Sequence, residues 1–207
     1  MTEIHIVDDH PALADSLAQL VARRLGWTPT VWSSAQAFLA ATATLRSAVV
    51  LADHHMPGTS GVALLEALAG DARFVSVLMT GTADVAVAVA AFRAGAMHLI
   101  EKPCETEELI SSLEAAAARL DAAAPRIAAQ RRIARLSPRE RDVLDGMLRG
   151  QANKVIAMDL GISQRTIEVY RAAMMGKLGA ASVAEVLQCA CAAGMVPEVE
   201  RRGEMVA

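Results

Sequence analysis

Aromatic side chains are scarce in this sequence: two Trp, one Tyr and three Phe supply 3% of 207 residues. Proteins that grip a single nucleic-acid strand stack successive bases on aromatic rings, so six rings leave that class without its main material. Cysteine is equally thin. Cys104, Cys189 and Cys191 form no C-x-x-C pair, which argues against a disulfide framework and against a cysteine metal cage. Long apolar runs are also missing. The longest uncharged stretch, Leu25 to Leu45, contains Gly26, Pro29, Gln36, two Ser and four Thr, and is too polar to cross a bilayer, so no membrane partner is expected. The opening MTEIHIVDDH is acidic and has no basic segment followed by an apolar run. No secretory signal is read from it, and a cytoplasmic protein with reduced thiols is expected.

What is present is a globular composition, 54% hydrophobic and 21% charged, long enough for one large domain or two small ones. The net charge of −3 conceals an asymmetry. Split at Pro125, the chain has 7 Lys+Arg against 14 Asp+Glu before it and 13 against 9 after it. Residues 126 to 180 hold 11 Lys+Arg against 5 Asp+Glu. An acidic module joined to a basic one is expected, with nucleic acid as the natural partner of the second.

The first half alternates. Aliphatic runs at Ile4 to Val7, Val49 to Leu51, Val75 to Met79 and Leu99 to Ile100, with a weaker one at Thr28 to Trp32, are separated by helical patterns such as Leu13/Leu17/Leu20/Val21. Five strand and helix pairs over about 120 residues predict a parallel sheet, doubly wound, with helices on both faces. In such sheets ligands sit beyond the carboxyl ends of the strands. Asp8 and Asp9 follow the first strand, Asp53 the third, Thr80 the fourth and Lys102 the fifth, which brings all five to one edge. Singly, each is also a turn or cap residue. Together they form a site: clustered carboxylates need a cation, and hard oxygen donors on few protein arms suit Mg²⁺. Asp53 is then the nucleophile that forms an acyl phosphate, while Thr80 and Lys102 serve the phosphoryl oxygens. His54 and His55, adjacent with no third ligand, read as loop residues, with the His55 side chain flanking the path of attacking water.

The segments IVDDH at 6 to 10, LADHHMPGTSG at 51 to 61, LMTGTADV at 78 to 85 and GAMHLIEKP at 95 to 103 resemble response-regulator receiver domains, flavodoxin-like in fold, over residues 1–121. The resemblance implies that Asp53 takes a phosphoryl group from a sensor histidine kinase, that Asp8, Asp9, Asp53 and the His55 backbone carbonyl surround Mg²⁺, and that Pro103 follows a cis bond. The chain departs from the family at Leu99, where an aromatic switch residue is usual, and this alters the expected readout.

From Glu105 the sequence is Ala-rich and helix-favouring, with Pro125 expected to end or kink the helix near Ala122; residues 122–135 are expected to form a helical linker. Beyond it, Ser137 with Pro138 and Glu140 marks a helix start that should stop at Gly150; Asn153 is expected to cap a short helix ending at Gly161, and Ser163 a third running to Gly179. The Gly-Ile-Ser link is the turn of a helix-turn-helix. On the third helix Ile167, Tyr170, Met174 and Leu178 form the inward stripe. Arg165, Glu168, Val169 and Ala172 lie opposite and suit a major groove, with Lys154, Arg165, Thr166, Arg171 and Lys177 as phosphate contacts.

The motifs SPRE, NKVIA, LGIS, RTIEVYR and KLGA resemble the all-α, four-helix output domain of LuxR/FixJ-type regulators, residues 136–200 being assigned to it. The whole chain therefore resembles a FixJ-type response regulator. That implies transcriptional control on double-stranded promoter DNA, with phosphorylation promoting homodimerisation or releasing the output domain, and RNA polymerase as a further candidate partner. Two alternatives remain: a regulator whose receiver no longer needs phosphate, and an aspartyl-phosphate phosphohydrolase. Enzymes of the latter kind carry a second Asp two residues after the nucleophile, where this chain has His55.

Overall fold

A computed structural model describes residues 2–82 and 84–195 and divides into two compact units, Met1–Ala123 and Ala124–Ala207. In the first, five strands alternate with helices: β1 (Glu3–Val7), α1 (Pro11–Leu25), β2 (Thr28–Trp32), α2 (Ala35–Ala41), β3 (Ala48–Asp53), α3 (Gly61–Leu68), β4 (Phe74–Thr80), α4 (Val85–Arg93), β5 (Ala96–Glu101) and the start of α5 (Thr106–Ala134). All four pairings are parallel, in the order β2-β1-β3-β4-β5. The weak run at Thr28 to Trp32 is therefore a strand. It lies at the sheet edge, where Pro29 costs no rung.

Every residue of β3 is buried, as a central parallel strand requires. The core beside it combines Phe38, Leu64, Leu65, Phe74 and Leu78, with Trp32 and Leu99 packed against it partly buried. Strand order reverses between β1 and β3, and that switch point opens a crevice at the carboxyl ends of these two strands. Ser60 caps α3 by accepting the Ala63 N–H. Gly61 begins that helix with no room for a side chain: a Cβ there would lie 2.3 Å from the Asp53 carbonyl oxygen. Close approach of α3 to the end of β3 is thus built on glycine.

The second unit is helical: the last turns of α5, then α6 (Pro138–Leu148), α7 (Asn153–Leu160), α8 (Gln164–Leu178) and α9 (Val183–Ala192). Val143, Leu144, Ile156, Ile167, Met174, Leu178, Val186 and Ala190 form its core. Residues 196–200 of the expected output domain lie outside the described residues.

Two local expectations are corrected. The expected break near Ala122 does not occur: α5 continues through Pro125 to Ala134, so the stretch expected as a helical linker is helical and continuous with the helix before it. Proline removes one helical bond, but burial of Ile127, Ala129 and Ile133 holds the turns that follow. Gln130 Nε2 donates to the Ala193 carbonyl at 3.2 Å, so this stretch belongs to the second unit's own packing. Asn153, expected to cap α7, is instead its first residue; Ala152 occupies the cap position without a side-chain bond. The freed Asn153 Oδ1 accepts from Arg171 Nη1 on α8.

Candidate functional site

The crevice between β1 and β3 gathers the expected acidic residues. Asp8 and Asp53 are 3% and 6% exposed as side chains, and Asp9 beside them is partly open. Lys102, just past β5, reaches across from the other side of the sheet, with Nζ 3.0 Å from Asp8 Oδ2 and 2.8 Å from Asp53 Oδ1. Burial pushes the Lys102 ammonium down, but hydrogen bonds and charge from Asp53 and Asp8 outweigh it and hold the group protonated above its usual range. Two buried carboxylates thus share one ammonium, and Asp9 adds a third acid next to Asp8. The surplus negative charge and the hard oxygen donors fit Mg²⁺, the ion receiver domains generally bind in an acidic pocket.

Asp53 Oδ2 accepts the His55 backbone N–H at 3.0 Å, which fixes the carboxylate against its own loop. That loop is tied to the sheet: the His54 N–H donates to the Met79 carbonyl at 2.7 Å and the Gly61 N–H to the His54 carbonyl at 3.0 Å. His54 Nδ1 is buried without a partner, and burial, then the neighbouring His55, push its imidazole below the usual range. His55 itself is exposed. Thr80 is fully buried at the end of β4, and its hydroxyl donates to the Thr82 carbonyl at 3.0 Å. The Lys102–Pro103 peptide is cis.

His10 is the residue that motif reasoning passed over. Its backbone N–H donates to Asp8 Oδ1 at 2.8 Å and its Nδ1 stands 3.1 Å from Asp9 Oδ1. The signal was in the sequence: Asp8, three residues before Pro11, is a turn former whose carboxylate captures the next-but-one N–H.

In the second unit, the Gly161-Ile162-Ser163 turn joins α7 to α8, with Gly161 left-handed at φ 66° and Ser163 accepting the Thr166 N–H. Arg165, Glu168, Val169 and Ala172 are all exposed on α8, and Lys154 is exposed on α7. The Thr166 hydroxyl is 2.8 Å from that of Ser163, inside the cap. Arg171 and Lys177 are held within the domain. Arg171 bonds Asn153, and Lys177 Nζ pairs with buried Glu140 Oε2 at 2.6 Å. The Glu140 carboxyl also accepts the Ser137 N–H at 2.7 Å to close the capping box, and Lys177 followed by Ser137 holds it below the usual carboxylate range.

A doubly wound sheet with a carboxylate and lysine pocket, followed by a helix-turn-helix unit, defines a response regulator. The family described as response regulator receiver domain matches residues 4–114, and that described as bacterial regulatory proteins, luxR family, matches 134–190. The transcriptional regulatory protein FixJ of Bradyrhizobium diazoefficiens is 42% identical over 200 residues, covering 93% of this chain and 96% of its own. The C4-dicarboxylate transport regulator DctR of Rhodobacter capsulatus is 37% identical, covering 88% and 96%. Full-length FixJ from B. japonicum, a crystal structure, shows 41% identity, covers 94% of this chain and 98% of its own, and superposes with a TM-score of 0.55. The chain belongs to the FixJ family of two-component response regulators, transcription regulators with a receiver domain and a LuxR-type DNA-binding domain. Among the described residues, no helix is long and apolar enough to cross a membrane.

Proposed function

We propose that Asp53 accepts a phosphoryl group from a sensor histidine kinase, and that phosphorylation drives homodimerisation and binding to double-stranded promoter DNA in the cytoplasm. The observation that carries this reading is Lys102 Nζ seated between Asp8 Oδ2 and Asp53 Oδ1 in a crevice otherwise rich in carboxylate. Asp8, Asp9, Asp53 and the His55 carbonyl are the residues that hold Mg²⁺. When bound, the ion supplies charge neutralisation for the incoming phosphoryl oxygens. A carboxylate oxygen of Asp53 attacks phosphorus as the bond to the donor histidine breaks, which leaves an acyl phosphate. Lys102 then exchanges its contact with Asp53 for one with a phosphoryl oxygen, and the Thr80 hydroxyl leaves Thr82 to donate to another.

Movement of Thr80 draws on the loop before α4, whose Val85, Val89 and Phe92 are exposed apolar side chains. A face of that kind supports pairing between two receivers. On DNA, Arg165, Glu168, Val169 and Ala172 of α8 face the major groove, with Lys154 and Thr166 at phosphates. RNA polymerase is the candidate partner of the promoter-bound dimer.

Leu99 favours one second reading, a regulator whose receiver acts without phosphate, because a leucine side chain cannot make the ring movement usual at that position. Incubation of the full chain with Mg²⁺ and acetyl phosphate, followed by intact mass and light scattering, separates the two. Gain of one phosphoryl group with dimer formation, both lost in Asp53→Asn, supports the first. An unmodified chain that binds promoter DNA at full strength supports the second.

A further inference from the structure

Asp8 divides its carboxylate between two neighbours. Oδ2 faces the Lys102 ammonium at 3.0 Å, whereas Oδ1 accepts the His10 backbone N–H at 2.8 Å and lies 3.5 Å from His10 Nδ1. The same ring nitrogen stands 3.1 Å from Asp9 Oδ1, and one ligand atom from each of Asp8, Asp9 and His10 lies within 4.8 Å of the others. Lys102 therefore answers the charge on one side of Asp8, and the Oδ1 side is where a divalent cation is still called for. Ligands about 2.1 Å from a metal and in neighbouring positions on it stand about 3 Å apart. His10 Nδ1 is already near that separation from both carboxylate oxygens.

We propose that His10 Nδ1 joins Asp8 and Asp9 as a further protein ligand to the cation of this pocket, and that it shifts the preference of the pocket from Mg²⁺ toward borderline ions such as Ni²⁺ and Zn²⁺. The inference rests on the reading that Asp8 and Asp9 hold a divalent cation, and adds which one the pocket selects. Mg²⁺ is a hard ion that prefers oxygen, so it gains little from an imidazole. Later first-row ions bind imidazole nitrogen strongly. The side chain is 72% exposed, so an ion displaces only water and any ring proton, both of which pass to solvent. The ring makes no cap bond to α1, and its removal leaves that helix start intact.

Calorimetric titration of the full chain with Mg²⁺ and with Ni²⁺ tests this directly. His10→Ala should weaken Ni²⁺ binding by about tenfold or more while Mg²⁺ affinity stays within about twofold. Asp9→Asn should weaken both ions. A Ni²⁺ affinity indifferent to His10, or an equal loss for both ions in His10→Ala, overturns the inference while leaving the cation pocket standing. Failure of the wild-type chain to bind Mg²⁺ at all overturns the pocket reading beneath it.

Discussion

Lys102 Nζ lies 2.8 Å from Asp53 Oδ1, so the carboxylate at the end of β3 is held by a cation that arrives from β5, 49 residues later in the chain. The ion pair closes the crevice from the far side and leaves Asp8 to join it to Asp9. Replacing Lys102 with Met therefore strands two buried carboxylates. We expect a loss of about 3 kcal/mol in receiver stability, at the lower end of the cost of breaking a buried pair because Lys102 itself is partly exposed. Mg²⁺ should restore more stability to Lys102→Met than it adds to the wild type, as measured by the unfolding midpoint with and without the ion. An equal Mg²⁺ effect in both chains contradicts the shared charge.

Gly61 gives a second test of how the site is held. Gly61→Ala places a Cβ 2.3 Å from the Asp53 carbonyl oxygen and 2.5 Å from Leu78 Cδ1, so α3 or the end of β3 must shift. A loss of about 1–3 kcal/mol is expected, with slower phosphorylation by acetyl phosphate. Unchanged stability and rate contradict the close approach.

The two units should lose stability to acid in different pH windows. Burial pushes the His5 imidazole below its usual range, with only partial compensation from Glu3. The unfolded chain then takes up the proton first, so receiver stability falls as pH drops below about 6.5 and continues to fall until folded His5 titrates. Trp27 and Trp32 report this, since both tryptophans lie in the first unit. Glu140 has a lowered pKa, so its contribution is complete above the usual glutamate value and disappears as pH falls through the folded one. Tryptophan fluorescence should register the higher window. The lower one belongs to the helical unit and should vanish in Glu140→Gln.

Much of the receiver site was legible because strand ends in a parallel sheet share one edge. Reading Asp8, Asp53 and Lys102 as residues at strand ends sufficed to bring them together, whereas Thr80, at the end of β4, has its hydroxyl bonded to Thr82. The Ser137 and Glu140 capping box was equally local, three residues apart. The rest depended on partners distant in sequence. Lys177 and Glu140 are 37 residues apart, and Arg171 and Asn153 are 18 apart, so no spacing rule announces either pair. Pro125 misled for the complementary reason: the local rule for proline was sound, and tertiary burial of Ile127 and Ile133 overrode it.

Those long-range pairs sort the basic residues of the helix-turn-helix. Arg165 is exposed on α8, so Arg165→Ala should weaken DNA binding across sequences and lower the salt slope by about one, with no change in unfolding midpoint. Arg171→Ala and Lys177→Ala should instead lower folding stability first, by about 1–3 kcal/mol each, because each removes a bond that a polar partner makes within the domain. A DNA loss with unchanged stability in Lys177→Ala contradicts that division.

The central claim is that phosphorylation of Asp53 controls the DNA reader. The most direct measurement is promoter affinity of the full chain at fixed salt, before and after treatment with acetyl phosphate and Mg²⁺, beside Asp53→Asn treated in the same way. The prediction is at least about tenfold tighter binding for the phosphorylated wild type, a coupling of about 1.4 kcal/mol, and no change for Asp53→Asn. Equal affinity before and after stoichiometric phosphorylation contradicts it.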